Sequence, residues 1–224
     1  MKLTAAFFDV DETLIKMKSM FHFYQYWSES RQWTSKHQQF TANFKNAVAQ
    51  GVTREELNKM YYREFAGVDI EDLYHMGEAW FNKYLSHNET YIACAVEALQ
   101  QHKINGQVVV FISGSMLPLL KPLGRRLGAD AILCTPLLLN DKGLLTGEIG
   151  EPQTIGMGKQ RALLAFSHGK NINLMTSYAY GDDLSDIPML ETIGHPVCVG
   201  EYSNLAEYAE KNQWKILKEN IPSH

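Results

Sequence analysis

Short apolar runs that stop abruptly at acids, hydroxyls or glycines are the feature that most constrains this chain. Residues 3–10 (LTAAFFDV) lead into Asp9-Val10-Asp11-Glu12-Thr13. Residues 107–112 (QVVVFI) lead into Ser113-Gly114-Ser115, and residues 174–180 into Gly181-Asp182-Asp183-Leu184-Ser185-Asp186. Two further runs, 131–134 (AILC) and 196–200 (PVCVG), share the same make-up. Runs that are apolar throughout, rather than alternating, predict strands covered on both faces, as in a parallel sheet. Helical patterns lie between them, over 91–103 (stopped by Asn105-Gly106), 117–127 (running into Gly128), 159–166 and 204–213. Alternation of this kind predicts a doubly wound α/β sheet. Residues 137–149 depart from it, because Asn140-Asp141-Lys142-Gly143 between two apolar runs predicts a β-hairpin.

Residues 16–89 break the alternation. They are aromatic and helical in pattern and contain no obvious strand. Thr53-Arg54-Glu55-Glu56 reads as a capping box that opens a helix, and Asp69 is placed to cap the next one. The expected organisation is therefore a core from 1–15 and 90–224, with a helical cap of 16–89 inserted after the first strand. The aromatic run Phe21, Phe23, Tyr24, Tyr26, Trp27 is read mostly as core of this insert with its remainder lining a pocket, and His22, Arg31, Lys45, Arg54 and Arg63 as surface.

Composition narrows the function classes. With 21 basic and 25 acidic residues, the formal charge of −4 gives no global attraction to nucleic acid or to an anionic membrane. The 4 Trp, 11 Tyr and 10 Phe are too many for a chain that never packs. Cys94, Cys134 and Cys198 form no CxxC pair and no zinc spacing, and are read as reduced thiols. The first ten residues are interrupted by Asp9 and lack the form of a signal peptide, so the expected location is cytoplasmic.

The chemistry sits where the runs stop. In open α/β sheets the carboxyl ends of the strands form the ligand crevice. Asp9, Asp11, Asp182, Asp183 and Asp186 make an acid cluster that repels itself unless a cation binds. An all-oxygen set suits Mg²⁺, which takes one or two carboxylates together with phosphate. Ser113 and the amide of Gly114 lie between a strand and a helix, a natural anion site. Lys159 opens a later helix and adds a point positive charge. Gly156-Met157-Gly158-Lys159 lacks the spacing of a P-loop.

The order DVDET, ISGS, GMGKQ, then YGDDLSD with IPML resembles the haloacid dehalogenase-like hydrolase superfamily, on its phosphoserine-phosphatase-like branch. The resemblance implies a Rossmann-like three-layer α/β/α core and a Mg²⁺-dependent phosphatase acting on a small phosphorylated metabolite. It implies Asp9 as the nucleophile that becomes an aspartyl-phosphate, and Asp11 as general acid and then base. Thr13, Ser113, Gly114 and Lys159 would hold phosphate, and Asp9, the Asp11 carbonyl and Asp182 would hold the metal. Asp183 or Asp186 would act on metal waters or orient Lys159. Members acting on phosphoserine usually carry a Glu shortly after the first motif. Here that region reads Lys16-Met17-Lys18, which predicts a different preferred substrate. Glu12, where relatives often have Gly or Ser, is read as capping a turn. The rivals are a phosphotransferase built on the same phosphoenzyme and a non-catalytic binding protein on the same scaffold.

Overall fold

The computed structural model describes residues 2–219. The expected core range of 90–224 therefore extends beyond the described residues at its end. The elements run β1 (Ala5–Phe8), α1 (Ser19–Ser30), α2 (Thr34–Ala49), α3 (Arg54–Arg63), α4 (Ile70–Tyr84), α5 (Ala93–Ile104), β2 (Val108–Ser113), α6 (Leu117–Leu127) and β3 (Ala131–Cys134). They continue with β4 (Leu137–Leu139), β5 (Leu145–Ile149), α7 (Met157–Gly169), β6 (Tyr178–Gly181), α8 (Ile187–Leu190), β7 (His195–Val199), α9 (Ala206–Lys211) and β8 (Lys215–Leu217).

Six strands form one sheet in the order β3-β2-β1-β6-β7-β8, and every neighbouring pair is parallel. All four residues of β1 are buried, as a central strand covered by helices on both faces requires. The chain first builds outward from β1 to β2 and β3, then returns to add β6, β7 and β8 on the other side. That reversal places a crevice at the carboxyl ends of β1, β2 and β6. This is the Rossmann-like α/β architecture expected from the sequence.

The two faces of the sheet carry different cores. Ala5, Phe7, Val110 and Ile112 pack with Leu163, Met189, Leu190 and Leu205 from α7–α9 and their flanks. Phe8, Val109 and Phe111 share the other core with α5, α6 and the aromatic interior of the inserted helices, including Phe23, Trp27, Tyr61, Phe65 and Trp80. The insert is thus joined to the sheet through continuous buried apolar surface. At the α4–α6 crossing, Gly77 lets the backbones meet, since a Cβ there would lie 2.4 Å from the Pro118 carbonyl oxygen. The expected hairpin is β4–β5, an antiparallel pair. No helix among the described residues is long and apolar enough to cross a membrane, and the three cysteines are free.

Several local expectations need correction. Residues 174–176 form a 3₁₀ turn, so the sixth strand starts only at Tyr178. The Asn173 side chain accepts from the Met175 amide at 3.1 Å, a local bond that competes with strand pairing. The edge strand β8 lay inside no expected element; three residues carry too little pattern to announce a strand. Thr53 caps α3 as expected, accepting from the Glu56 amide, but the Glu56 carboxylate turns to Lys59 at 2.7 Å. His22 is not a free surface group, because its Nδ1 accepts from the Trp80 indole at 2.9 Å.

Candidate active site

Asp9 is the first residue past β1, and its amide donates to the Tyr180 carbonyl of β6 at 2.9 Å. Its carboxylate is buried and accepts from Lys159 Nζ at 2.6 Å. The same ammonium donates to Asp186 Oδ1 at 2.6 Å. Lys159 stands in the first turn of α7, beneath a close backbone approach. A Cβ at Gly158 would lie 1.6 Å from the Gln153 carbonyl oxygen, so only glycine lets α7 start there. Burial works against the charge of Lys159. Asp186 and Asp9 outweigh it and hold the lysine protonated, above its ordinary range. Burial pushes Asp9 upward, with Asp186 and Asp182 adding to the effect and Lys159 pulling against it.

Asp186 is fixed from behind. Its Oδ2 accepts from the amides of Asp182 and Asp183, both at 3.3 Å. Asp182 accepts from the Thr13 hydroxyl at 2.8 Å, and burial together with Asp186 raises its pKa to about 7. Thr13 is fully buried, and its hydroxyl is engaged with Asp182. Asp183 takes a third role. Burial pushes it up, but the Ser185 amide and Arg54 outweigh that and hold it below the usual carboxylate range.

Asp11 points away from these acids. Its Oδ2 accepts from the Ser19 amide at 2.9 Å, capping α1 where Lys18 offers no side-chain cap. Its Oδ1 is buried without a partner. Burial raises its pKa to about 6, against the lowering effect of the Ser19 bonds. Directly after Asp11, Glu12 adopts φ 59° and pairs with Lys18 at 3.3 Å. Ser113 ends β2, and its hydroxyl accepts from the Ser115 amide at 3.1 Å. The Gly114 carbonyl accepts from Asn58 at 3.2 Å and Tyr62 at 2.9 Å, both on α3, and from Thr135 at 3.3 Å.

Carboxylate oxygens of Asp9, Asp182 and Asp186 lie within 4.8 Å of one another. The donors are all hard oxygens, and burial and mutual repulsion raise the pKa of Asp9 and Asp182. This set fits Mg²⁺. It adds the Asp186 carboxylate to the expected Asp9 and Asp182; the third expected donor is the backbone carbonyl of Asp11, whose carboxylate faces Ser19.

Asp9, Asp11, Ser113, Gly114, Lys159, Asp182, Asp183 and Asp186 all line one cavity of about 540 Å³, roofed by residues of α1–α3. The roof is tied to the floor by side chains the sequence did not single out. Arg54, read as a surface residue, makes a close ion pair with Asp183 and donates to Ser185 at 2.6 Å. Gln153 donates to Asn58 Oδ1 and the Glu55 carbonyl, both at 2.9 Å. An arginine directly after an N-cap was a weak signal for such a role, and Gln153 carried none.

Comparison with known proteins agrees with this layout. The haloacid dehalogenase-like hydrolase family pattern matches residues 6–191. A Streptomyces azureus protein named for inhibition of morphological differentiation is 33% identical over 128 residues, which cover 57% of this chain and 46% of that protein. A Mycobacterium tuberculosis protein described as a probable phosphatase is 27% identical over 98% of this chain and 76% of its own length. Among solved structures, a Bordetella pertussis protein of unknown function superposes with a TM-score of 0.87 at 19% identity, over 97% of this chain and 99% of that one. A phosphoserine phosphatase captured as a phospho-aspartyl intermediate analogue gives 0.68 at 20% identity, over 98% and 95%. The pattern match over most of the chain, with this fold and this cluster of acids, establishes that the protein belongs to the haloacid dehalogenase-like hydrolase family.

Proposed function

We propose that this hydrolase is a Mg²⁺-dependent phosphatase that cleaves a small phosphomonoester through an aspartyl-phosphate on Asp9. The observation that carries the reading is the division of labour between two buried acids. Asp9 is held by Lys159 at 2.6 Å in the acid cluster, whereas Asp11 keeps an unpartnered oxygen in the same cavity. A carboxylate fixed by a lysine suits a nucleophile, and one with a free oxygen and a pKa of about 6 suits proton transfer in both directions.

In the first step an Asp9 oxygen bonds to phosphorus while the bond from phosphorus to the ester oxygen breaks. The Asp11 proton passes to the leaving oxygen. In the second step Asp11, now ionised, takes a proton from water as the water oxygen bonds to phosphorus. The bond to Asp9 breaks and inorganic phosphate departs. Lys159, the Ser113 hydroxyl and the Gly114 amide bind the phosphoryl oxygens, and Thr13 positions Asp182. Asp9, Asp182, Asp186 and the Asp11 backbone carbonyl would hold Mg²⁺, which when bound neutralises charge on the phosphoryl group. Residues 16–89 act as the cap that keeps bulk water from the phosphoenzyme. The relative described as a probable phosphatase supports the activity class.

The test is phosphate release from a panel of phosphomonoesters with Mg²⁺ and with EDTA, combined with acid-quench mass spectrometry. The expected result is metal-dependent release and an added phosphoryl mass on the peptide containing Asp9. A label on another residue overturns the assignment of Asp9. Transfer to an added alcohol in place of water identifies a phosphotransferase.

A further inference from the structure

The half of the cavity away from the acids is a wall contributed by the cap. Met20 and Phe21 come from α1, Phe44 and Val48 from α2, Val52 from the α2–α3 turn, and Leu57 from α3. Phe21 and Phe44 meet edge to face with centroids 4.8 Å apart. Although they belong to helices with a well-packed interior, Phe21 and Val48 remain 39% and 52% exposed. Large apolar side chains left uncovered at the mouth of an enclosed site mark the surface a ligand covers.

The charges on this wall are already matched. Lys18 sits 3.3 Å from Glu12, and Arg54 is engaged with Asp183 and Ser185. An ammonium or a carboxylate on the leaving group would meet charges that already have partners. Asn58, also on this wall, uses both ends of its amide on Gln153 and Gly114. The exception on this wall is the Tyr61 hydroxyl, which is buried, belongs to a cavity-lining residue and has no protein partner.

We propose that the substrate is the phosphate ester of an uncharged, predominantly apolar alcohol, whose hydrocarbon body lies against Phe21, Phe44, Val48 and Leu57. This rests on the phosphatase reading above and adds the class of leaving group.

The experiment compares kcat/KM for methyl, propyl, hexyl and phenyl phosphate, phosphoserine, glucose 6-phosphate and a hexyl phosphate carrying a terminal carboxylate, using the Mg²⁺-loaded full chain. The expected result is a rise of about two- to fourfold per added methylene from methyl to hexyl, with phenyl and hexyl phosphate above the charged and sugar esters. Val48 is half-exposed, so Val48→Asp folds. It should flatten the chain-length series, whereas Val48→Leu should keep it. A flat series in the unaltered chain overturns the inference and leaves the phosphatase reading in place, as does preference for phosphoserine, the sugar ester or the carboxylate ester. Absence of Mg²⁺-dependent release from every ester, methyl phosphate included, overturns the phosphatase reading and the inference with it.

Discussion

The floor and the roof of the cavity are built on opposite principles. On the floor, Asp9, Asp186, Asp182 and Thr13 are joined to Lys159 or to one another by hydrogen bonds of 2.6–2.8 Å and by backbone amides. The roof is mainly aromatic and aliphatic on its cavity side, with polar ties such as Arg54–Asp183 and Asn58–Gly114 joining it to the floor. Directional bonds fix atoms that must meet a phosphoryl group to within fractions of an ångström. Apolar contact sets only size and shape, so the same floor serves any leaving group that the roof accommodates.

The sharpest way to break this contrast is at Asp9. Asp9→Asn should abolish the phosphoenzyme and lower turnover on the order of 10⁴-fold or more, checked by acid-quench mass spectrometry. Asp11→Asn should be milder and different, slowing each proton-transfer step by roughly 10²–10⁴-fold. With an aryl phosphate, whose leaving group needs little protonation, it should still label Asp9 and then hydrolyse slowly, so that aspartyl-phosphate accumulates. The pH profile of the unaltered enzyme carries the same signature. Attack on an alkyl ester needs Asp11 protonated, so its rate should fall as pH rises through about 6. Hydrolysis of the phosphoenzyme needs Asp11 ionised, so it should fall as pH drops through the same value.

Asp182 tests the floor through stability. Its folded pKa of about 7 lies above the ordinary carboxylate value, so the folded chain binds that proton more tightly than the unfolded chain. Stability from this group is present at low pH and lost as pH rises from about 4 to about 7. Asp182→Asn should remove that slope, raise the Tm of the metal-free chain at neutral pH, and abolish the Tm gain on adding Mg²⁺. Thermal unfolding at two pH values, with EDTA and with Mg²⁺, reads all three effects. The smallest expected effect is at Arg54. Arg54→Ala removes a half-exposed pair of the kind worth about 0–1 kcal/mol, so Tm should move by only a few degrees. KM should rise several-fold with kcat less affected, because α3 loses one of its ties to the Asp183 loop.

The same contrast decides what the sequence reveals. The floor comes from three strand ends, and each strand announces itself as an apolar run that halts at its functional residues. Asp9, Ser113 and Asp186 could therefore be singled out without coordinates, and the parallel sheet with them, whereas Lys159 opens a helix and stands out through the order of motifs. What the spacing could not convey is direction. Thr13 turns its hydroxyl to Asp182, and Asp11 turns to the start of α1, because side-chain orientation in a tight turn depends on φ/ψ at single residues such as Glu12. On the roof, helical periodicity marked which residues are apolar but not which of them face the cavity. Arg54 and His22 passed as surface groups because their partners, Asp183 and Trp80, are distant in the chain.

The strand order has a consequence for how the protein comes into being. Lys159 and Asp9 are 150 positions apart, and Thr13 and Asp182 are 169 apart, yet each pair is in direct contact. No short stretch of the chain contains even a rudimentary version of the centre. Closing loops of this length precedes any gain from the contacts they make, which is the setting in which folding is slow. The acids, once gathered, repel one another until Lys159 is in place. Competence should therefore come with completion of the sheet, and a turnover assay on a refolding sample should time that step.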